Sequence, residues 1–516
     1  MLLSSIVHGA AIRRPAYPAL VCDGNRWTFW ELSDRVSKLA AGLSMLTEPG
    51  ERVAILADNC VEYIDCLYGV SQAGNTLAPI NQRLAVPEIE YVLSDAEPAV
   101  LIVGSEYYER LGEIRSVVPS IRHVVVIGDV IGDAPPGALS YRSLLSSTVL
   151  DPSRAHSDDN EVAWLVYTSG TTGRPKGAML THRNIISAML NAMIEWKPDR
   201  DDRQLFCFPL CHVAAFIPLM YHLRQATVVL MPSFDPAVFL RLVEEYEITH
   251  TGLAPTMLNF LLQHPDINSA RLDSVELVVY GSAPMSPTLL ENGIKRFGEV
   301  FVQTYGMTEL SGNVLVLGLD HHHRAITGEP ELLAAAGQME CLATVRLVDD
   351  DMKDVAVGDV GEIVVSGDQV MKGYWRAEEA TAEVLVDGWL RTGDLARMDE
   401  EGLVYVVDRK KDMIITGGEN VYPREVEDVI ARLPGLSEVA VIGLPDDRWG
   451  EAVTAVVVPR AGQTVKAEDV RAACRDSLAG FKVPKRVEFT DELPRNAAGK
   501  VVKTLLRDRF LEPGNA

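Results

Sequence analysis

An α/β fold is predicted by a few features of the chain. Over its first 280 or so positions short apolar runs alternate with stretches of helical period, which implies parallel sheets covered by helices. Between residues 340 and 407 the texture changes to short strands separated by acidic turns, which suggests a small antiparallel sheet or barrel. Beyond Asp412 roughly a hundred residues carry a strand-and-helix pattern of their own, enough for a separate α+β domain. At 516 residues the chain is too long for one core. The prediction is a large N-terminal domain of helix-covered, mostly parallel sheets with a small β subdomain, followed by a small α+β C-terminal domain.

In chain order, Arg52–Ala57 and Ala99–Val103 read as buried strands, with helices Val61–Ala73 and Pro87–Ser94 between them. Val162–Val166 is another apolar run. The pattern returns at Ala226–Met231, Thr249–Leu253 and Leu277–Tyr280, and Gly361–Ser366 is a strand of the small sheet. Strand Leu403–Val407 leads into the charged stretch Asp408-Arg-Lys-Lys-Asp412. The boundary is therefore placed there, giving domains 1–408 and 409–516. The second domain is read as a helix at Pro423–Arg432, strands at Val439–Ile442 and Ala452–Val458, a helix at Ala467–Leu478 and a strand at Arg486–Phe489.

A net charge of −24 argues against nucleic acid, whose binding depends on neutralising phosphates with Lys and Arg, and against broad adhesion to anionic membrane. Seven scattered cysteines, an odd number, suggest reduced thiols. The start, Met-Leu-Leu-Ser-Ser-Ile-Val-His, lacks the basic region and long apolar core of an export signal. No apolar stretch is long enough to span a bilayer, and the ending Pro-Gly-Asn-Ala is not a peroxisomal address. A cytoplasmic protein without an integral membrane segment is expected. Cys207-x3-Cys211-His212 places soft ligands close together, but no second pair completes a tetrahedral set. His321-His322-His323 lies in a polar stretch and is expected to form an exposed loop. Neither cluster is expected to hold a metal.

The strand at Val162–Val166 empties into Tyr167-Thr-Ser-Gly-Thr-Thr-Gly-Arg-Pro-Lys-Gly177. Such a loop suits phosphates. Gly170, Gly173 and Gly177 let the backbone approach an anion, Thr168, Ser169, Thr171 and Thr172 add donors, and Lys176 adds charge. It is not a Walker A loop, because no Gly-Lys-Ser/Thr follows at the required spacing.

With this loop come Gln303-Thr-Tyr-Gly-Met-Thr-Glu309, Trp389-Leu-Arg-Thr-Gly-Asp394, Asp408-Arg-Lys-Lys-Asp412 and Pro494-Arg-Asn-Ala-Ala-Gly-Lys500. In that order and spacing the chain, from about Thr28 to Arg507, resembles the adenylate-forming superfamily of acyl- and aryl-CoA synthetases, luciferase and peptide-synthetase adenylation domains. The resemblance implies an ATP-dependent acid–thiol ligase using ATP, Mg²⁺ and CoA. A carboxylic acid would be activated as an acyl-adenylate and passed to CoA by a mobile C-terminal cap hinged at Lys411. A homodimer is compatible with it. The catalytic lysine would be Lys500, a point charge for the developing α-phosphate anion. Glu309 would be the Mg²⁺ ligand. Thr308 would bind the α-phosphate, and Tyr305 would flank the adenine, with Gln303, Thr304 and Gly306 beside it. Ser282 and Ala283, after the strand Leu277–Tyr280, would wall the adenine and acyl pockets. Asp394 would accept the ribose hydroxyls, with Arg409 and Lys411 nearby. Gly417, Gly418, Glu419 and Asn420 would line the pantetheine path.

His212 matches a gate beside the acyl tunnel, and Val213, Ala214, Ala215 and Phe216 would offer an apolar wall or simply core packing. No acidic residue stands there to take an α-amino group, which disfavours amino acids. A medium- to long-chain fatty acid is the expected substrate, because Ala214 and Ala215 would leave depth. The alternatives are an aromatic acid of the cinnamate type, or an acyl-AMP ligase that stops before CoA.

Overall fold

The computed structural model describes the chain except residues 113, 129–136, 147–157, 169–173, 284, 447, 461, 497–499 and 512–516. It separates into a unit of Met1–Val345 with Val365–Leu390 and a second unit of Arg346–Val364 with Arg391–Ala516. The first unit contains two sheets, and their strands include the apolar runs read from the sequence. A seven-stranded sheet orders Leu139–Ser140, His123–Ile127, Pro98–Gly104, Arg52–Leu56, Thr76–Pro79, Val162–Thr168 and Lys176–Thr181. All its neighbours run parallel except the last pair, a hairpin. A nine-stranded sheet has parallel strands Phe301–Met307, Leu277–Tyr280, His250–Leu253, Arg203–Phe206, Thr227–Leu230 and Pro18–Cys22 at its centre and antiparallel strands at both ends. Parallel strands buried on both faces read as unbroken apolar runs, which is why they were legible. The helices Val61–Gln72 and Val86–Ala96 fall within a residue or two of the expected ranges.

One helix anchors several distant segments of the first unit. His182–Trp196 starts at Thr181, whose hydroxyl accepts from Asn184 N while the Asn184 side chain accepts from Thr181 N. A cap of this kind stabilises a helix start by about 1 kcal/mol. The same Asn184 amide donates to Asp368 O and Val370 O. One turn pair later Asn191 donates to the buried Gln369, which itself donates to Leu310 O and Asn313 O. The segment 368–375 is thus laced to the helix and to the turn that carries Glu309.

In the second unit, Trp389–Met398 pairs with Val404–Arg409 from Asp394↔Arg409 to Met398↔Val404. Further along, Glu419–Val421, Ile414–Thr416, Gly450–Pro459 and Leu436–Asp446 form a sheet, with Arg486–Phe489 parallel to Gly450–Pro459. Val441, Val453 and Val457 pack on one face with Val426 and Ile430 of helix Pro423–Ile430 and with Val470 and Cys474 of helix Ala467–Ser477. Ala440, Ile442 and Leu444 pack on the other with Leu506 of helix Lys503–Leu511. Both faces being covered explains the continuous Val/Ile/Ala runs. The strand Leu436–Asp446 is longer than the expected Val439–Ile442 because it continues beyond its apolar centre.

The three histidines correct an expectation. They are not an exposed loop but part of helix Leu319–Thr327. The helical period buries His322, with Ala325 three residues on, and leaves His321 half-buried, while exposed His323 meets Glu299 at 2.7 Å. A polar triplet hides this period in the sequence. Among the described residues no helix is long and apolar enough to cross a membrane.

Glu340 is 1% exposed, and among the described residues neither carboxylate oxygen has a hydrogen-bond partner. Burial, with the neighbouring charge of Glu195, pushes its pKa up to about 8. The folded state therefore holds a proton that the unfolded chain releases near the ordinary carboxylate value. Stability is fully present below that value and is lost as pH rises towards 8. The loss should be on the order of a few kcal/mol. Glu340→Gln should melt at nearly the same temperature at pH 5 and pH 8.5, where the parent loses stability. A parallel decline of both melting temperatures would contradict this assignment.

Candidate active site

Thr168 ends the strand Val162–Thr168 and pairs with Lys176, the first residue of the return strand. The predicted phosphate loop is thus anchored at both stems by a hairpin. Ser169, Gly170, Thr171, Thr172 and Gly173 lie outside the described residues. At Gly177 a Cβ would lie 2.7 Å from the Leu165 side chain, so the hairpin closes only without one there.

Beside these stems, strand Phe301–Met307 breaks into the short turn Thr308–Leu310. Gly306 permits it, because a Cβ there would lie 1.9 Å from Gly312 O. The turn buries Glu309 to 6% exposure. Its Oε1 accepts from the Tyr374 hydroxyl at 2.8 Å and lies 3.4 Å from Thr168 Oγ1. Among the described residues no hydrogen bond reaches Oε2. Tyr374 comes from the segment 371–375, which runs antiparallel along Lys176–Thr181. Met179 N donates to Gly373 O, Lys372 N to Met179 O and Trp375 N to Gly177 O, while Met371 N donates to Glu309 O. Lys176 Nζ sits 5.3 Å from the centre of the Tyr374 ring, within cation–π range. Burial, and then the Glu309 carboxylate, raise the Tyr374 phenol well above its usual range, so it remains a donor. One carboxylate with an oxygen unused by the described residues, at the stem of a hydroxyl-rich loop, is a donor set that fits Mg²⁺ shared with phosphate oxygens.

The neighbouring strand ends form a second side. Gly281 lies so close to the next strand that a Cβ would be 2.6 Å from Thr304 O, and Ser282 comes next at φ +67°. Ser282 and Ala283 are exposed, while Gln303, Thr304, Tyr305 and Thr308 are half-buried. The Gln303 amide lies 3.1 Å from the Tyr280 hydroxyl.

His212 precedes the turn Val213–Ala215 and is half-buried, as are Val213 and Ala214. Ala215 and Phe216 are buried, Phe216 stacking on Trp196. Cys207 donates to Gly252 O, and burial pushes the Cys207 and Cys211 thiols up to about 12, so both remain neutral.

The remaining predicted residues belong to the second unit. Arg409 Nε meets Asp394 Oδ1 at 2.9 Å, across one register position of the hairpin. Lys410 pairs with buried Glu362 and with Asp350, and Asp412 pairs with Arg507. Lys411 between them is half-buried. Burial, and then the cations Arg409 and Arg507, lower its pKa despite nearby Asp412. Gly417 and Gly418, at φ +62° and +85°, make the two-residue turn between Ile414–Thr416 and Glu419–Val421, a geometry that favours Gly-Gly. A Cβ on Gly417 would lie 3.0 Å from the Trp449 ring. Exposed Lys500 closes a small loop, since Asn496 N donates to Lys500 O and Lys500 N to Asn496 Oδ1.

Within the first unit the structure therefore gathers Thr168, Lys176 and Glu309. Within the second it pairs Asp394 with Arg409, while Gly417–Glu419 and Lys500 occupy separate turns. The sequence reading missed Tyr374. Its signal was modest, an aromatic pair after a glycine in Lys372-Gly-Tyr-Trp375.

Residues 7–375 match the family described as AMP-binding enzyme, and residues 425–500 match AMP-binding enzyme C-terminal domain. A feruloyl-CoA synthase of Amycolatopsis sp. is 42% identical over 490 residues, covering 94% of each chain. The medium/long-chain-fatty-acid–CoA ligase FadD8 of Mycobacterium tuberculosis is 36% identical over 523 residues, covering 98% of this chain and 89% of that protein. The crystal structure of ATP-bound MatB from Rhodopseudomonas palustris superposes with a TM-score of 0.88 at 31% identity, covering 99% of each chain. The chain belongs to the AMP-binding, adenylate-forming enzymes, in the group of acyl-CoA ligases.

Tyr374→Phe removes the hydroxyl donor from Glu309 and keeps the ring under Lys176. The Mg²⁺ concentration for half-maximal pyrophosphate release should rise about 10- to 100-fold, the scale for losing a partner of a metal-binding carboxylate. An unchanged Mg²⁺ titration would remove Tyr374 from the site.

Proposed function

We propose that this acyl-CoA ligase activates an aromatic acid of the cinnamate type, in two half-reactions. A carboxylate oxygen attacks the α-phosphorus of ATP, the α–β phosphoanhydride bond breaks, and pyrophosphate leaves. The CoA thiol then attacks the acyl carbon of the adenylate and AMP leaves. The observation that carries the nucleotide half is Glu309, buried beside Thr168 and Lys176 at the stems of the hydroxyl-rich loop. Bound Mg²⁺ would neutralise phosphate charge at Glu309. The loop hydroxyls and Lys176 hold the phosphates, Thr308 binds the α-phosphate and Tyr305 flanks the adenine. Asp394, with Arg409 beside it, accepts the ribose hydroxyls. Lys500 supplies positive charge to the α-phosphate during adenylation, and the turn at Gly417–Glu419 serves the pantetheine during thioester formation. The domains 1–408 and 409–516 exchange these faces by rotation at Lys411.

The acid class rests on the run after His212. Small residues at 214 and 215 suggested depth for a fatty chain. Ala215 and Phe216 are buried, and the Phe216 ring stacks on Trp196. His212, Val213 and Ala214 beside them are half-buried, and we read this run as a wall for a flat aromatic acid. The feruloyl-CoA synthase relative supports the same reading. A medium- to long-chain fatty acid is the second reading, supported by FadD8.

A panel of ferulate, p-coumarate, octanoate and palmitate, read by pyrophosphate release and by mass spectrometry of CoA thioesters, tests this. The aromatic acids should give the higher kcat/KM. Preference for palmitate would overturn the acid class, and adenylate without thioester would overturn the CoA half-reaction. Lys500→Ala should slow adenylation by about 10²-fold or more, the scale of losing one transition-state donor. It should leave thioester formation from pre-made acyl-AMP nearly intact, and equal losses in both would refute that role.

A further inference from the structure

His322, Tyr280 and Gln303 form a hydrogen-bonded line from the buried face of helix Leu319–Thr327 into strand Phe301–Met307. His322 Nδ1 lies 2.8 Å from Gly318 O, and its Nε2 lies 3.0 Å from the Tyr280 hydroxyl oxygen. That oxygen is also 3.1 Å from Gln303 Oε1, the amide end placed towards it. His322 and Tyr280 are each 2% exposed, so the protons must be shared among these groups rather than with solvent.

Counting protons fixes the line. A carbonyl oxygen only accepts, so Nδ1 carries the proton that faces Gly318 O. Burial lowers the His322 pKa to about 4, which leaves the ring one proton at neutral pH. Nε2 is then a lone pair and takes the only proton of the Tyr280 hydroxyl. Towards Gln303 the hydroxyl oxygen can now only accept. An amide oxygen set opposite it would leave two acceptors competing for one proton. Moving the histidine proton to Nε2 would instead set a nitrogen lone pair against Gly318 O at 2.8 Å. Turning the Gln303 amide end for end satisfies every group without changing its shape.

We propose that His322 and Tyr280 are positioning residues that hold the Gln303 amide with its NH₂ towards Tyr280 and its oxygen outward, as an acceptor that selects the 6-amino group of adenine. This rests on the reading of Gln303 as part of the nucleotide site. An outward oxygen matches a base that donates at position 6, and it opposes one that carries an oxo group there, as in ITP. Without the line the amide can present either end, and discrimination falls.

The experiment compares kcat/KM for ATP and ITP in pyrophosphate release by the full-length enzyme. Tyr280→Phe keeps the packing and should lower the ATP-over-ITP preference by about three- to tenfold, the worth of one hydrogen bond. The KM for the acid should stay as in the parent. His322→Leu should do the same, and His322→Gln, which can donate to Gly318 O and accept from Tyr280, should restore much of the preference. A general loss of packing would instead lower both nucleotides and the acid together. Gln303→Ala is the control for the underlying reading. If it leaves the preference intact, Gln303 does not contact the base and the proposal falls with that reading. If it abolishes the preference while Tyr280→Phe and His322→Leu retain it, the nucleotide reading stands and the line from His322 is overturned.

Discussion

The candidate site depends on a carboxylate placed where water hardly reaches. Glu309 is tolerable there because hydroxyls from two separate segments converge on one of its oxygens. Each convergence needs backbone brought closer than a side chain allows. Gly306 lets its strand lie on Gly312, and Gly177 lets the loop's return strand lie on Leu165. The segment bearing Tyr374 is held in turn by Asn184, Asn191 and Gln369. The polar groups that fix the site are therefore mostly amides one layer behind it, in a core where each has a partner.

Glu340 offers the contrast within the same unit. It is buried as deeply as Glu309 but has no donor at either oxygen among the described residues, and its proton is retained far above the ordinary range. Two buried glutamates thus differ in their surroundings, since one gathers hydroxyl donors while burial and the charge of Glu195 raise the pKa of the other. Residue type and burial alone would not tell them apart. The difference lies in what the neighbouring backbone presents.

The sheets were legible because their signal is local. Runs such as Leu277–Tyr280 and Val453–Val457 are apolar over several consecutive positions, and parallel or doubly covered strands leave no other pattern. The motif residues were legible because glycine, hydroxyl and charge recur at fixed spacing in Tyr167–Gly177 and Gln303–Glu309. Tyr374 was not, since it reaches Glu309 across 65 positions and its own surroundings look like an ordinary turn. His322 failed differently. Three identical residues mask a helical period, so only packing reveals that one of them is internal. The small residues at 214 and 215 do not by themselves tell whether space lies beside them, since that depends on the packing of neighbours such as Phe216, which stacks on Trp196.

The charged stretch after Val404–Arg409 bears on the proposed hinge through its pairing. Lys410 is tied backward in the chain to Asp350 and Glu362, and Glu362 is held again by Arg391. Asp412 is tied forward to Arg507 on the C-terminal helix. Lys411 makes neither tie among the described residues, and burial, then the cations Arg409 and Arg507, lower its pKa. With one neighbour tied to earlier chain and the other to later chain, the rotation proposed above would concentrate its backbone change at the residue between them. Rotation there would leave both sets of ion pairs intact. Placed at Lys410 or Asp412, it would have to break one set, including a pair to the buried Glu362 carboxylate, whose loss would leave that charge short of a partner.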